Sequence, residues 1–291
     1  MGLQSSGAIS LNEIHIEAGG SSGTQCSIND SDIRALIDKS SGAQMSFSEW
    51  YGASANVTVT LSSNATNQSV STLFGSDFSA NVAKILVINS GVEIGSTSTN
   101  NSALSVPSGM SGTLTIQNAG TISGAGGAGG SSGAGGKGET ALYIGSNGVT
   151  VTNTGTIRGG GGGGGRGANG SPGHGTSFGS AGACYGGSAG SGGAGGNGQG
   201  YNQSQSNGSG GTGGGSAYAI PSILAGLCAA NNAFSNGTGG SSGGNGGTYG
   251  NAGSQGGGSG SAGGSAGKYI KLGSGISYSL SNSGTLQGNA P

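Results

Sequence analysis

The chain has 291 residues, 74 of them Gly, so that Gly and Pro together make up roughly 27% against about 12% in an average protein. Charged residues are only 6% and the formal net charge is −1, which excludes a polybasic surface for nucleic acid or for an anionic membrane. No apolar run approaches the roughly 18 residues of a membrane span, the N-terminus has no basic and apolar secretory leader, and two His with nine acids leave little from which to build an enzyme, a metal site or a cofactor site.

Residues 1–52 read as a small separate module. Ser27-Ile28-Asn29-Asp30 fits a capping box, and Ile33, Leu36 and Ile37 follow at helical spacing. The pattern predicts one short helix from about 28 to 39, ended by Ser41-Gly42. Two similar phrases flank it, SSGAISLNEI (5–14) and SSGAQMSFSEW (40–50), and each reads as an extended arm. So small a module is marginal alone. Docking on a partner is the expected way to bury Leu3, Ile9, Leu11, Ile14, Phe47, Trp50 and Tyr51. The phrase set of Ser-Gly-Ala-Ile-Ser-Leu, Asn-Asp-Ser-Asp-Ile-Arg-Ala-Leu and Ser-Phe-Ser-Glu-Trp-Tyr-Gly resembles the N-terminal segments of tailed-bacteriophage structural proteins. The resemblance implies attachment to a virion component; a helical cap on the next domain is the alternative.

From 53 to 123 the pattern turns to period two, with Val57, Val59 and Leu61 alternating with Thr and with Ile85-Leu86-Val87-Ile88 as a continuous run. This predicts a β-rich domain. A phrase then repeats: LTIQNAGTISG (114–124), VTVTNTGTIRG (149–159) and YSLSNSGTLQG (278–288), with VINSGVEIG (87–95) as a looser copy. Each copy reads as strand, turn, short strand, with Asn-x-Gly supplying a left-handed residue and a side-chain turn bond. Two copies lead directly into glycine runs. The remainder, 124–291, is therefore expected to be a glycine-rich domain on base strands at about 141–158 and 268–288.

Residues 124–291 hold 61 of the 74 Gly, and 140–291 hold no Asp or Glu. Without a carboxylate this half cannot supply the paired acids of a glycosidase or orient a catalytic His. Its glycines keep a register of three, as at Gly124, Gly127, Gly130, Gly133 and Gly136, or Gly161, Gly164, Gly167, Gly170 and Gly173. Period three belongs to the polyproline-II family of helices. Collagen would need more Pro than Pro172, Pro221 and Pro291. Bare glycine helices can instead pack side by side, each N–H reaching a neighbouring carbonyl. The expected fold is mainly β plus a polyglycine-II helix bundle, with a small N-terminal module.

This combination of strand–Asn-x-Gly-Thr-Ile-x-Gly phrases and periodic glycine runs, over about 85–288, resembles the glycine-rich adhesins at the tips of bacteriophage tail fibres. The resemblance implies a polyglycine-II sandwich whose joining loops touch the host receptor, an outer-membrane protein or a polysaccharide. It also implies a tail-fibre or tail-tip protein of the same virion as partner. The chain would be made in the host cytoplasm and end up on the virion. A purely structural tail connector and an ice-binding glycine-helix protein are the rival readings.

Residues that interrupt the glycine register are the candidate receptor contacts: Phe178, Tyr185, Tyr201, Asn202, Gln203, Asn231, Asn232, Phe234 and Tyr249. An aromatic beside an amide offers a large rigid face with few rotors to freeze; packing on the flank of the bundle is the competing use. The segment 217–234 is the most apolar interruption and reads equally as a packed lid. Cys26, Cys184 and Cys228 form no close pair in sequence, which leaves a pairing of Cys184 with Cys228 open. His15 and His174 are too isolated for a metal.

Overall fold

The alternation that starts at Val57 resolves into short parallel strands stacked coil upon coil. The computed structural model describes residues 3–37, 39–178, 182–220, 225–230 and 232–291. In the first coil lie β1 (Val57–Leu61), β2 (Ala65–Thr66) and β3 (Gln68–Ser69); in the second, β4 (Lys84–Ile88), β5 (Glu93–Gly95) and β6 (Leu104–Val106). The third holds β7 (Leu114–Asn118), β8 (Thr121–Ser123) and β9 (Leu142–Ile144), the fourth β10 (Val149–Asn153), β11 (Thr156–Arg158) and β15 (Ile270–Leu272). The last holds β16 (Tyr278–Asn282) and β17 (Thr285–Gln287). Sheet orders β1-β4-β7-β10-β16, β17-β11-β8-β5-β2 and β15-β9-β6-β3 make a three-sided parallel solenoid.

Register puts like on like. Val59, Leu86, Ile116, Val151 and Leu280 stack in the first sheet, and Ala65, Ile94, Ile122, Ile157 and Leu286 in the second. Each inward row is an apolar ladder of the kind that stabilises a sheet. Lys84 interrupts one ladder in a buried position; its Nζ donates to the carbonyls of Ala80, Val82 and Ser111, and burial lowers its pKa from 10.5.

The repeated Asn is a ladder as well. Asn118 Nδ2 donates to Asn153 Oδ1 at 2.7 Å, and Asn153 Nδ2 donates to Asn282 Oδ1 at 2.6 Å. Asn282 Nδ2 also makes the expected turn bond, to the Gly284 carbonyl. The expected left-handed residue occurs in the looser copy, at Gly91 with φ of 81°, but not in the three close copies, where Gly120, Gly155 and Gly284 have no positive φ. Their Cβ atoms would fall 2.0 to 2.3 Å from a carbonyl of the preceding coil. Close stacking of coils, not backbone handedness, requires these glycines.

The expected boundary at 123/124 is not a break in the core. One apolar cluster runs from Val70 and Leu86 through Leu142 and Val151 to Ile270. Glycine segments are insertions into single turns of the solenoid, between β8 and β9 and between β11 and β15. Within them the backbone carries the order. The 159–173 run donates in rotation: Gly160, Gly163 and Arg166 to 133–139, Gly161, Gly164 and Gly167 to 186–199, and Gly162, Gly165 and Ala168 to 251–257. Its carbonyls accept from 124–130, 235–247 and 260–267. That run is thus surrounded by six others. From Gly159 to Gly165, a Cβ at any position would lie 1.8 to 2.3 Å from a neighbouring carbonyl oxygen.

In the N-terminal module the single helix and the two extended arms are corrected. Helix α1 (Leu11–Glu17) occupies the first arm, closed by a capping box between Ser10 and Glu13. Leu11, Ile14 and Ala18 share one face at helical spacing, which outweighs the alternation of Ile9 and Leu11. The predicted 28–39 helix shortens to α2 (Ser31–Ala35), with Asp30 at the N-cap position but without a side-chain cap bond, because the Asp30 carboxylate accepts from the Ser27 N–H and closes a turn ahead of the helix. The second arm ends in a 3-10 turn, Phe47–Trp50. Ile14, Ile33 and Trp50 form a core of their own, and the indole N–H donates to the Ile33 carbonyl. After the first coil comes α3 (Val70–Phe74), which contributes Val70 and Phe74 to the solenoid core.

Candidate functional site

Two long excursions leave the solenoid and meet at their own far ends. The first goes out along 159–173 and returns along 186–199; the second goes out along 206–215 and returns along 235–247. Where they turn, the glycine register stops and side chains take over. β12 (Thr176–Ser177), β13 (Ala183–Tyr185) and β14 (Tyr218–Ile220) form a small antiparallel sheet, followed by α4 (Ala225–Ala230).

Covalent and polar contacts hold this cap. Cys184 on β13 is joined to Cys228 on α4, with Cα atoms 5.9 Å apart, and the bridge is buried against Ala219, Ala233 and Phe234. His174 Nε2 lies 2.9 Å from the Asn232 carbonyl oxygen and its Nδ1 lies 2.9 Å from Ser235 Oγ, so the imidazole ties the two excursions together. Asn232 takes a left-handed conformation with φ of 49°, which Asn tolerates.

Outside the bridge the cap is aromatic and aliphatic. Tyr185 and Tyr218 are register partners whose rings stack at 5.0 Å and 16°. Both are exposed, as are Phe178, Ile220 and Leu227; Tyr218 and Ile220 each expose 54% of their surface. No Asp, Glu, Lys or Arg occurs between Gly167 and Gly267, so the cap bears no formal side-chain charge apart from any proton on His174.

The structure divides the nine candidate contacts. Phe178, Tyr185, Asn232 and Phe234 belong to the cap, with Phe234 half-buried under the disulfide; Asn231 lies outside the described residues. Tyr201, Asn202, Gln203 and Tyr249 lie at the opposite end, against the solenoid. Gly95 of β5 lacks a Cβ where the Tyr201 ring sits, since one would come within 2.0 Å of it. Asn202 Nδ2 donates to the Thr97 carbonyl at 3.4 Å, and Gln203 Nε2 donates to Gly198 and Gly127. Arg158 stacks on Tyr249, 3.9 Å from the ring centre, while it pairs with Glu93 at 3.0 Å. Burial raises the Tyr249 pKa, and the guanidinium opposes that rise.

Sequence reasoning missed Tyr218, Ile220 and Leu227 as exposed groups, because the apolar segment around them read equally as a lid. The seven docking candidates also divide. Ile14 and Trp50 are fully buried in their own core, with Leu3, Ile9 and Leu11 packed on it. Phe47 and Tyr51 remain exposed, joined by Ile16. Among the described residues no three His, Cys, Asp or Glu are grouped to hold a metal, and no helix is long and apolar enough to cross a membrane.

A family model described as phage tail fibre adhesin Gp38 matches residues 55–291. Among solved structures, the chain is similar to one in the gp37–gp38 adhesin tip complex of the bacteriophage S16 long tail fibre, at 20% identity and a TM-score of 0.55, with 96% of each chain covered. No curated protein sequence matches.

Proposed function

The chain belongs to the Gp38 family of phage tail fibre adhesins, and from that premise we propose that its disulfide-bridged cap is the surface that meets the host cell. Family membership sets aside the connector and ice-binding readings and favours a non-enzymatic role on the virion tail. The glycine insertions are proposed to be a polyglycine-II bundle. The rotation of donors around the 159–173 run, one neighbour every third residue, supports that reading, because it is the pattern of a threefold helix. At about 3.1 Å per residue, that run would carry the cap about 45 Å from the solenoid.

The observation that carries the proposal is the stacked, exposed Tyr185–Tyr218 pair at the far end of a backbone-bonded stalk. A cap ordered before contact loses little entropy on binding, and several fibres per particle would multiply a weak contact by avidity. Either a protein or a polysaccharide of the outer membrane suits such a face. Residues 1–52 are proposed to join the chain to a tail-fibre protein, as the gp37–gp38 pairing of the similar structure suggests. Phe47, Tyr51 and Ile16 are the exposed apolar groups for that contact.

The test uses the isolated protein, where avidity cannot hide a loss. A central aromatic contact typically costs about 2 kcal/mol or more on truncation to Ala, so Tyr185→Ala and Tyr218→Ala should each weaken binding to host cells roughly thirtyfold with melting unchanged. Normal binding by the double variant would move recognition away from the cap.

A further inference from the structure

The third sheet of the solenoid has an outer wall that the adhesin reading does not use. Ser69, Ser105, Tyr143 and Lys271 stand in register across β3, β6, β9 and β15, all pointing away from the core row of Leu104, Leu142 and Ile270. Neighbouring strands are about 4.8 Å apart, close to the length of one pyranose unit. The row is the floor of a groove of about 690 Å³, within the roughly 300–1,000 Å³ of small-ligand sites. The 99–102 loop, Lys137 and Glu139 complete its lining.

The groove is ordered before any ligand arrives. Asn67 Nδ2 donates to Thr97 Oγ1 at 2.6 Å and its Oδ1 accepts from the Thr97 N–H at 3.1 Å. Ser96 Oγ lies within hydrogen-bond reach of the carbonyls of both Ser98 and Asn101 and shares its single proton between them, which ties down the loop. The half-buried Tyr143 ring lies beside Gly145 and Gly273, where a Cβ would come within 3.0 to 3.2 Å of its ring or hydroxyl. Glu139 uses one carboxylate oxygen on the Thr140 N–H. Among the described residues the ammonium groups of Lys137 and Lys271 and the Tyr143 hydroxyl have no hydrogen bond or ion pair within the chain.

We propose that this groove binds a saccharide bearing a carboxylate or phosphate group. The ring of Tyr143 offers an apolar face for a pyranose, whose C–H groups stack on such surfaces. The Ser102 hydroxyl and the amides of Asn100 and Asn101 match the hydroxyls of a sugar as donors and as acceptors, while the hydroxyls of Ser105, which donates to the Gln68 carbonyl, and Ser69, bonded to Ser71 Oγ, keep lone pairs to accept. Lys137 and Lys271 exceed Glu139 by one positive charge and select the anionic substituent. The site is separate from the cap and does not depend on what the cap binds.

Titration of the full-length protein, by calorimetry or by shifts of the Tyr143 signal, should use glucuronate, glucose 6-phosphate, glucose and inorganic phosphate. The two anionic sugars should bind saturably, and glucose roughly tenfold more weakly, since it lacks the charge-assisted contacts. The Lys137→Ala/Lys271→Ala protein should lose the difference between charged and neutral sugars, while Tyr143→Ala should weaken all three sugars. Both lysines are exposed, so their removal should leave melting unchanged. The Tyr185→Ala/Tyr218→Ala protein should bind the sugars normally. Absence of saturable sugar binding overturns the proposal, as does equal binding by phosphate and glucose 6-phosphate, or unaltered affinity in both groove variants.

Discussion

At the scale of single residues, two kinds of glycine share one composition. Gly163 sits in the central run, and a Cβ there would lie 1.9 Å from the Ala128 carbonyl oxygen. Backbone atoms packed on several sides cannot yield as a side chain would, so Gly163→Ala should disrupt the bundle and lower the melting temperature sharply. Gly210 and Gly213 have open space where a Cβ would go and no positive φ. Their replacement by Ala should be tolerated or stabilise by about 0.4–1 kcal/mol, through a less flexible unfolded chain. Thermal melts of the three variants check this, and equal effects at Gly163 and Gly210 would argue against an ordered, six-neighbour run.

Elements show why the repeated phrase was legible and the helices were not. A strand stacked on its own repeat must present the same residue to the same neighbour, so Asn118, Asn153 and Asn282 recur at the same place in each copy of the phrase and form a ladder. The α1 helix has no repeat to announce it, and Ile9, Leu11 and Ile14 satisfy both a strand and a helix reading until the Ser10–Glu13 box decides. The cap depends on one covalent element. Its disulfide closes a segment with a sequence separation of 44, worth roughly 4 kcal/mol in the chain-entropy account. Cys184→Ala/Cys228→Ala should therefore loosen β13, β14 and α4 while the glycine runs stay protected. Hydrogen exchange would show amides near Tyr185 and Tyr218 speeding up and those of 160–167 unaffected. Unchanged exchange in the cap would mean that its packing alone holds it. Since cytosolic thiols are kept reduced, the bridge is expected to close only after the protein leaves the host.

For the whole molecule, charge is segregated along the long axis. Every Asp, Glu, Lys and Arg lies in 1–166 or after Gly267, so the glycine runs beyond Arg166 and the cap they carry have none. Attachment through an uncharged surface gains nothing from long-range steering. Binding of the isolated protein to host cells should accordingly change little between low and physiological salt, although the Debye length shrinks from about 30 Å at 0.01 M to about 8 Å at 0.15 M. Steep weakening with salt would place the principal contact at a charged surface instead, with the Lys137–Lys271 groove as the first candidate.

The amino-acid sequence by itself determined the composition class, the period-two strands, the Asn-x-Gly-Thr ladder phrase and the threefold glycine register. These are repeats of a local pattern, written into adjacent residues because each must meet a copy of itself. Tertiary structure alone decided which run is central, that strands on both sides of 123 share one core, and that Cys184 meets Cys228. It also sent Tyr185 to the cap and Tyr201 and Tyr249 to the base, although all three interrupt glycine runs in the same way. The physical reason is that a glycine backbone bonds equally well to any parallel or antiparallel neighbour. Which neighbour it receives depends on how far each run extends before it turns, and that is settled by packing between distant segments.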